Sequence, residues 1–241
     1  MSGHSKWSQI KHRKAAADAK KSALFGKLAR AISVAARGNP DLQTNLRLQA
    51  EVQRARAVNM PSDSIERAIR RVADKDAATF HEVQVEFIGP GGVAVVVSAI
   101  TDNSNRTIME LRRIATDHGA RTADAGSAIW MFKSRGIVRV ATAGRDLDAL
   151  ELAAIDAGAD DVQPKEDSLL VLCPPDSLPA LVSALGEAVQ ASTTVLVPNT
   201  VVQVTGDTED SILSFVDALE DHDDVQRVFT NMAPYGDLSW D

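Results

Sequence analysis

Near residue 78 the spacing of apolar residues changes, and this change constrains the fold more than any other feature of the chain. Upstream, Leu24, Phe25, Leu28, Ala31, Ile32 and Ala35 recur at helical spacing, with Lys27, Arg30 and Arg37 on the other side. Gly38-Asn39-Pro40 stops that helix. A second helix is expected from Asp41 to about Val58. A third is expected after Pro61, where Asp63 and Glu66 have capping-box spacing and Ile65, Ala68, Ile69 and Val72 form the apolar stripe. Residues 1–21 lack such a stripe and read as an arm that packs only in part.

Downstream, short apolar runs alternate with single helices. Strand His81–Ile88, the turn Gly89-Pro90-Gly91-Gly92 and strand Val93–Ile100 are followed by helix Asn103–Gly119 and strand Ala128–Lys133. Next come strand Gly136–Ala141, helix Asp146–Ala157, strands Asp161–Lys165 and Ser168–Cys173, helix Asp176–Ala191 and strand Thr193–Val197. This is the β-α-β-β-α-β order of a ferredoxin-like unit. The last elements are strand Thr200–Thr205, helix Thr208–His222 and strand Val225–Thr230. They are too few to cover a sheet of their own, so they are expected to join residues 79–133. The expected fold class is α+β multidomain: an N-terminal helical bundle plus two ferredoxin-like α/β domains, the third inserted into the second. The boundaries are 1–78 for the basic helical domain with its arm, 79–133 plus 199–241 for the discontinuous α/β domain, and 134–198 for the inserted one.

Charge follows the same division. The chain carries a net −7, yet residues 1–75 hold 16 of its 26 Lys and Arg and only 6 of its 33 Asp and Glu. The Debye length of about 8 Å at physiological salt lets such a basic part act independently of an acidic remainder. Lys6, Lys11, Arg13, Lys14, Lys20, Lys21 and Lys27 crowd the first residues, with His4, Trp7 and His12 among them. A tail that only solubilises has no use for Trp, so the cluster, with Arg30 on the first helix, reads as a grip on nucleic-acid phosphates.

The remaining motifs are weaker. Gly89–Gly92 lacks the Lys-Ser/Thr of a phosphate-binding loop and precedes a strand, so it reads as a hairpin turn. Asp102-Asn103-Ser104-Asn105-Arg106-Thr107 has two readings, a helix N-cap or a polar site in which Arg106 meets a phosphate. The acidic run Glu220–Asp224 reads as a solvated loop, because consecutive side chains diverge and do not converge on one ion. Cys173 reads as a buried inert thiol, and a single cysteine fits a reducing compartment. With no Ser-His-Asp context, zinc spacing or nucleotide fingerprint, neither catalysis, metal nor cofactor is expected. No run is long and apolar enough for a membrane span, and a monomer is expected.

The segments "GHSKWSQIKHRKAAADAKK", "NMPSDSIERAI", "GPGGVAVVV", "TDNSNRT", "VPNTVV" and "ALEDHDDVQRVF" together resemble the YebC family, which includes the mitochondrial translational activator of cytochrome c oxidase. The resemblance runs from residue 2 to about 231, and its start at the N-terminus points to a bacterial cytoplasmic member. It implies a helical domain followed by two α/β domains, one inserted into the other. It also implies either DNA-binding transcription regulation or a role in translation at the ribosome, relieving stalls at sequences such as proline runs. The binding positions it implies are His4, Lys6, Trp7, Lys11, His12, Arg13 and Lys14, with Asn103, Asn105 and Arg106 as a second site. The chain departs from the family at Phe87-Ile88, where a Gly-Tyr pair is usual, in its short first loop, and in its "PYGDLSWD" tail. Ribosomal RNA is the favoured target, since the densest charge lies on an irregular arm rather than on a recognition helix. Duplex DNA is the alternative.

Overall fold

The computed structural model describes residues 20–71 and 79–233, a mixed α/β chain with two antiparallel sheets and, among the described residues, seven α-helices. Helix α1 covers residues 20–35, and α2 (Leu46–Ala57) and α3 (Ser62–Arg70) follow. Leu28, Ile32, Leu48, Val52, Ala55, Met60, Ile65 and Ala68 form their shared core. Helix α2 starts five residues later than the apolar spacing suggests, because side chains compete for the backbone. The Asp41 carboxylate accepts from Gln43 N (2.9 Å) and Thr44 Oγ1 (3.0 Å), fixing a turn. Asn45 then caps α2 by accepting from Leu48 N, while its amide donates to Ala35 O at the end of α1. The capping box expected for α3 does not form. Pro61 holds the cap position, and Glu66 pairs with Arg70 at 3.0 Å on the solvent side.

The first sheet contains β1 (His81–Ile88), β2 (Ala94–Thr101), β3 (Arg121–Thr122) and β8 (Val225–Thr230), in the order β3-β1-β2-β8. Gly91 and Gly92 at φ +69° and +76° close the β1–β2 hairpin, as expected of Gly in a tight turn. Helices α4 (Ser104–Asp117) and α7 (Asp207–Glu220) cover one face, burying Val85, Phe87, Val95, Val97, Leu111, Phe215 and Leu219. Phe87 meets Phe215 edge-on at 5.7 Å. The strand expected at 200–205 shrinks to one bridge, Val202 to Met232.

The second sheet contains β4 (Phe132–Ala141), β5 (Asp161–Pro164), β6 (Ser168–Cys173) and β7 (Val189–Pro198), ordered β5-β6-β4-β7. Helices α5 (Leu147–Asp156) and α6 (Leu178–Leu185) pack over Val138, Val140, Leu169, Val171 and Cys173. Two boundaries differ from expectation. Residues 129–131 form a 3₁₀ turn, after which β4 runs without a break at Ser134-Arg135. The cause is Glu86, whose carboxylate gathers the N–H groups of Gly126, Ala128 and Ile129 at 2.7–2.8 Å and curls the chain. Helix α6 stops early because Gly186, at φ +50°, redirects the chain, so β7 begins at Val189.

Three contacts lock the helical layer to the first sheet. Ala31 and Val34 of α1 pack on Phe80 and Ile100. Arg37 donates to Phe80 O (2.7 Å). Lys27 and Arg30 donate to the carbonyls of Glu220 and Asp223 at the end of α7, where the helix dipole is negative.

Candidate nucleic-acid interface

Of the expected binding positions, His4, Lys6, Trp7, Lys11, His12, Arg13 and Lys14 lie outside the described residues. Lys20 and Lys21 are exposed at the start of α1, with the Lys21 ammonium 5.5 Å from the centre of the Phe25 ring. Arg30 is placed differently. It is half-buried against the α7–β8 loop, where the Asp223 carbonyl takes one of its donors. Neighbouring Lys27 is held in the same way, and burial pulls its pKa down against the opposing attraction of Asp223. These two cations are spent on internal packing.

Exposed charge is instead carried by Arg56 in the last turn of α2 and by Arg67 and Arg70 on α3. Arg67 and Arg70 are three residues apart and share a face. Arg70 is paired only with an exposed Glu66, whereas Arg56 and Arg67 have no ion pair among the described residues. These three were not singled out as binding positions. The sequence signal for Arg67 and Arg70 is their place off the apolar stripe of the third helix, whereas Arg56 carries no such signal.

The loop Asp102–Thr107 divides between the two roles considered for it. Asn103 is the N-cap of α4, its side chain accepting from Arg106 N at 3.1 Å. Arg106 spans Asp102 (3.2 Å) and Asp224 (3.0 Å). Asp224 also accepts from Thr107 Oγ1 at 2.6 Å. Burial works to raise the Asp224 pKa, but the hydrogen bonds from Thr107, Arg106 and Thr101 outweigh it and hold the carboxyl below its ordinary value. Asn105 is exposed, and its side chain makes no hydrogen bond among the described residues. The loop thus contributes one structural cap, one ion-paired cation and one free amide. Asp224 lay unmarked in an acidic run, where nothing in its spacing distinguished it from its neighbours.

The rest of that run diverges. His222 meets Glu110 at 2.9 Å, and the carbonyls of Glu220 and Asp223 take Lys27 and Arg30. Among the described residues no cluster of His, Cys, Asp or Glu is arranged to hold a metal ion. Among those residues no helix is long and apolar enough to cross a membrane.

Residues 5–75 match the family described as the TACO1/YebC protein N-terminal domain, and residues 80–232 match that described as the TACO1/YebC second and third domain. A Thermotoga maritima protein named "Probable transcriptional regulatory protein" is 47% identical over 237 residues, spanning 96% of this chain and 93% of its own. A protein of the same name from Thermomicrobium roseum is 43% identical over 237 residues and 96% of each chain. The crystal structure of a conserved hypothetical protein from Aquifex aeolicus superposes with a TM-score of 0.76 at 35% identity, covering 89% of this chain and 91% of that one. Two adjoining family matches and relatives similar over nearly the whole length agree, and the chain belongs to the TACO1/YebC family.

Proposed function

We propose that this protein regulates gene expression by binding nucleic acid through its basic helical part, without catalysis, with ribosomal RNA as the target and translation as the process. The observation that carries the reading is the exposed, largely unpaired set Arg56, Arg67 and Arg70, together with the exposed Lys20 and Lys21. Such cations meet phosphates and give affinity without reading sequence. The relatives' name supports a regulator of gene expression. In this reading the chain has three domains, at 1–78, at 79–133 plus 199–241, and at 134–198. The two sheets support it, because the chain leaves the first after β3 and returns to it at β8. The relatives' name also favours a second reading, duplex DNA at a promoter.

Co-sedimentation with 70S ribosomes, compared with promoter-DNA binding at the same salt, separates the readings. Changing Arg67 and Arg70 together to Ala is expected to weaken binding across sequences and to flatten the slope of log K against log salt by about two units. An unchanged slope would place the contact elsewhere. Tighter binding to promoter DNA than to ribosomes would favour transcription.

A further inference from the structure

Where α2, β7 and the face of the first sheet opposite α4 and α7 meet, a cleft of about 470 Å³ opens. That volume lies within the range of about 300–1,000 Å³ usual for small-molecule sites. Its walls are partly apolar, with Val96, Phe229, Leu196 and Pro179 among the lining residues. Strand β8 breaks its alternation at this point. Ser98 of β2 faces Arg227 while Ala99 faces Val225, which leaves Gln226 as the extra residue of a β-bulge. Regular strands send consecutive side chains to opposite faces, and a bulge re-aims one of them. Here Gln226 and Arg227 both line the cleft.

Neither side chain is fully satisfied. The Gln226 amide nitrogen is buried and has no acceptor among the described residues. Arg227 donates to Thr194 O (2.8 Å) and Thr193 Oγ1 (2.7 Å) of β7 but meets no carboxylate among the described residues. Two acids also line the cleft, and each is already taken by a lining arginine: Glu51 is held at 2.8 Å by Arg54, and Glu82 pairs with Arg47. Burial, followed by repulsion from Arg54, brings the Arg227 pKa down to about 10 against the weaker pull of Glu51. A half-buried guanidinium without a counter-ion is better satisfied when something anionic completes it.

We propose that this cleft binds a small organic anion, with a carboxylate or phosphate on Arg227 beside Arg54, an acceptor atom on the Gln226 amide, and a flat apolar body against Val96 and Phe229. A charge-assisted hydrogen bond in a part-buried cleft gives such a site selectivity for the anion over its neutral analogue.

Calorimetric titration of the full chain tests this with two matched pairs: 5′-AMP against adenosine for a phosphate, and indole-3-acetate against indole for a carboxylate. The expected result is saturable binding of at least one anion, about tenfold or more tighter than its neutral partner. Which pair responds identifies the head group. Arg227→Gln should abolish the preference, and Gln226→Leu should weaken the anion while leaving the melting temperature near that of the parent. Equal affinity within both pairs, or no binding of either anion up to about 10 mM, overturns the proposal; the latter corresponds to less than about 3 kcal/mol. If Arg227→Gln fails to fold, Gln226→Leu decides, and unchanged affinity in it overturns the proposal.

Discussion

Asp224 and Glu86 are carboxylates that hold backbone and side chains in place, and both respond to acid in the same sense. Only 9% of the Asp224 side chain is exposed, and Glu86 is buried at 6%. In each, burial raises the pKa but hydrogen-bond donors outweigh it, so the folded-state value lies below the ordinary one. A depressed carboxyl pKa stabilises the fold above the unfolded value of about 4, and that stability is lost as pH falls through the folded value. Denaturation between pH 7 and pH 2 should therefore show stability falling below about pH 4, with a shallower fall in Asp224→Asn. A parent profile flat across that window would contradict the assignment. Two neighbouring amides separate capping from function. Asn103→Ala should cost about 1 kcal/mol, as the loss of an N-cap does. Asn105→Ala should change stability by less than about 0.5 kcal/mol, as expected of an exposed side chain. Loss of activity in a stalled-translation assay with unchanged melting in Asn105→Ala would then report a contact to a partner.

At the scale of elements, the apolar period revealed the helices and most strands, because Leu28, Ile32, Leu48, Ile65 and Ala68 repeat as a buried stripe must. It misplaced ends wherever a remote side chain claimed the backbone. Nothing near Ala128 announces a 3₁₀ turn; its cause is Glu86, some forty residues earlier. The charge pattern likewise put Arg30 on an outer face, since the Asp223 carbonyl that holds it is 193 residues away. Gly136 shows the opposite case, a residue fixed by a close neighbour. It pairs across β4 and β6 with Cys173, and a Cβ there would lie 2.6 Å from Cys173 Sγ and 3.2 Å from Leu178 Cβ. Gly136→Ala should therefore lower stability by about 1–3 kcal/mol through overpacking. A melting temperature equal to the parent's would show that the neighbours yield freely.

Across the whole molecule, the helical layer and the first sheet are joined by polar contacts at the end of α7 and by a small apolar patch around Ile100. Replacing Lys27 and Arg30 together with Met should loosen that junction while leaving both cores intact. Amide exchange should then quicken at Val34 and Ile100 but not at Leu48 or Leu111. Uniform quickening would instead mean that the contacts stabilise the entire fold. The paired ends of β4 and β7 have another consequence. Phe132 and Pro198, the first residue of β4 and the last of β7, lie opposite each other across the ladder. The whole second sheet is thus hung from the first by two strand ends already side by side. Because that doorway is closed by its own ladder, the length of chain folded behind it adds little entropy cost to bringing its ends together. In engineering terms, residues 132–198 are a socketed cassette, and sequence can be lengthened, shortened or exchanged behind the socket without moving β1, which carries Glu86, or the turn before β8, which carries Asp224.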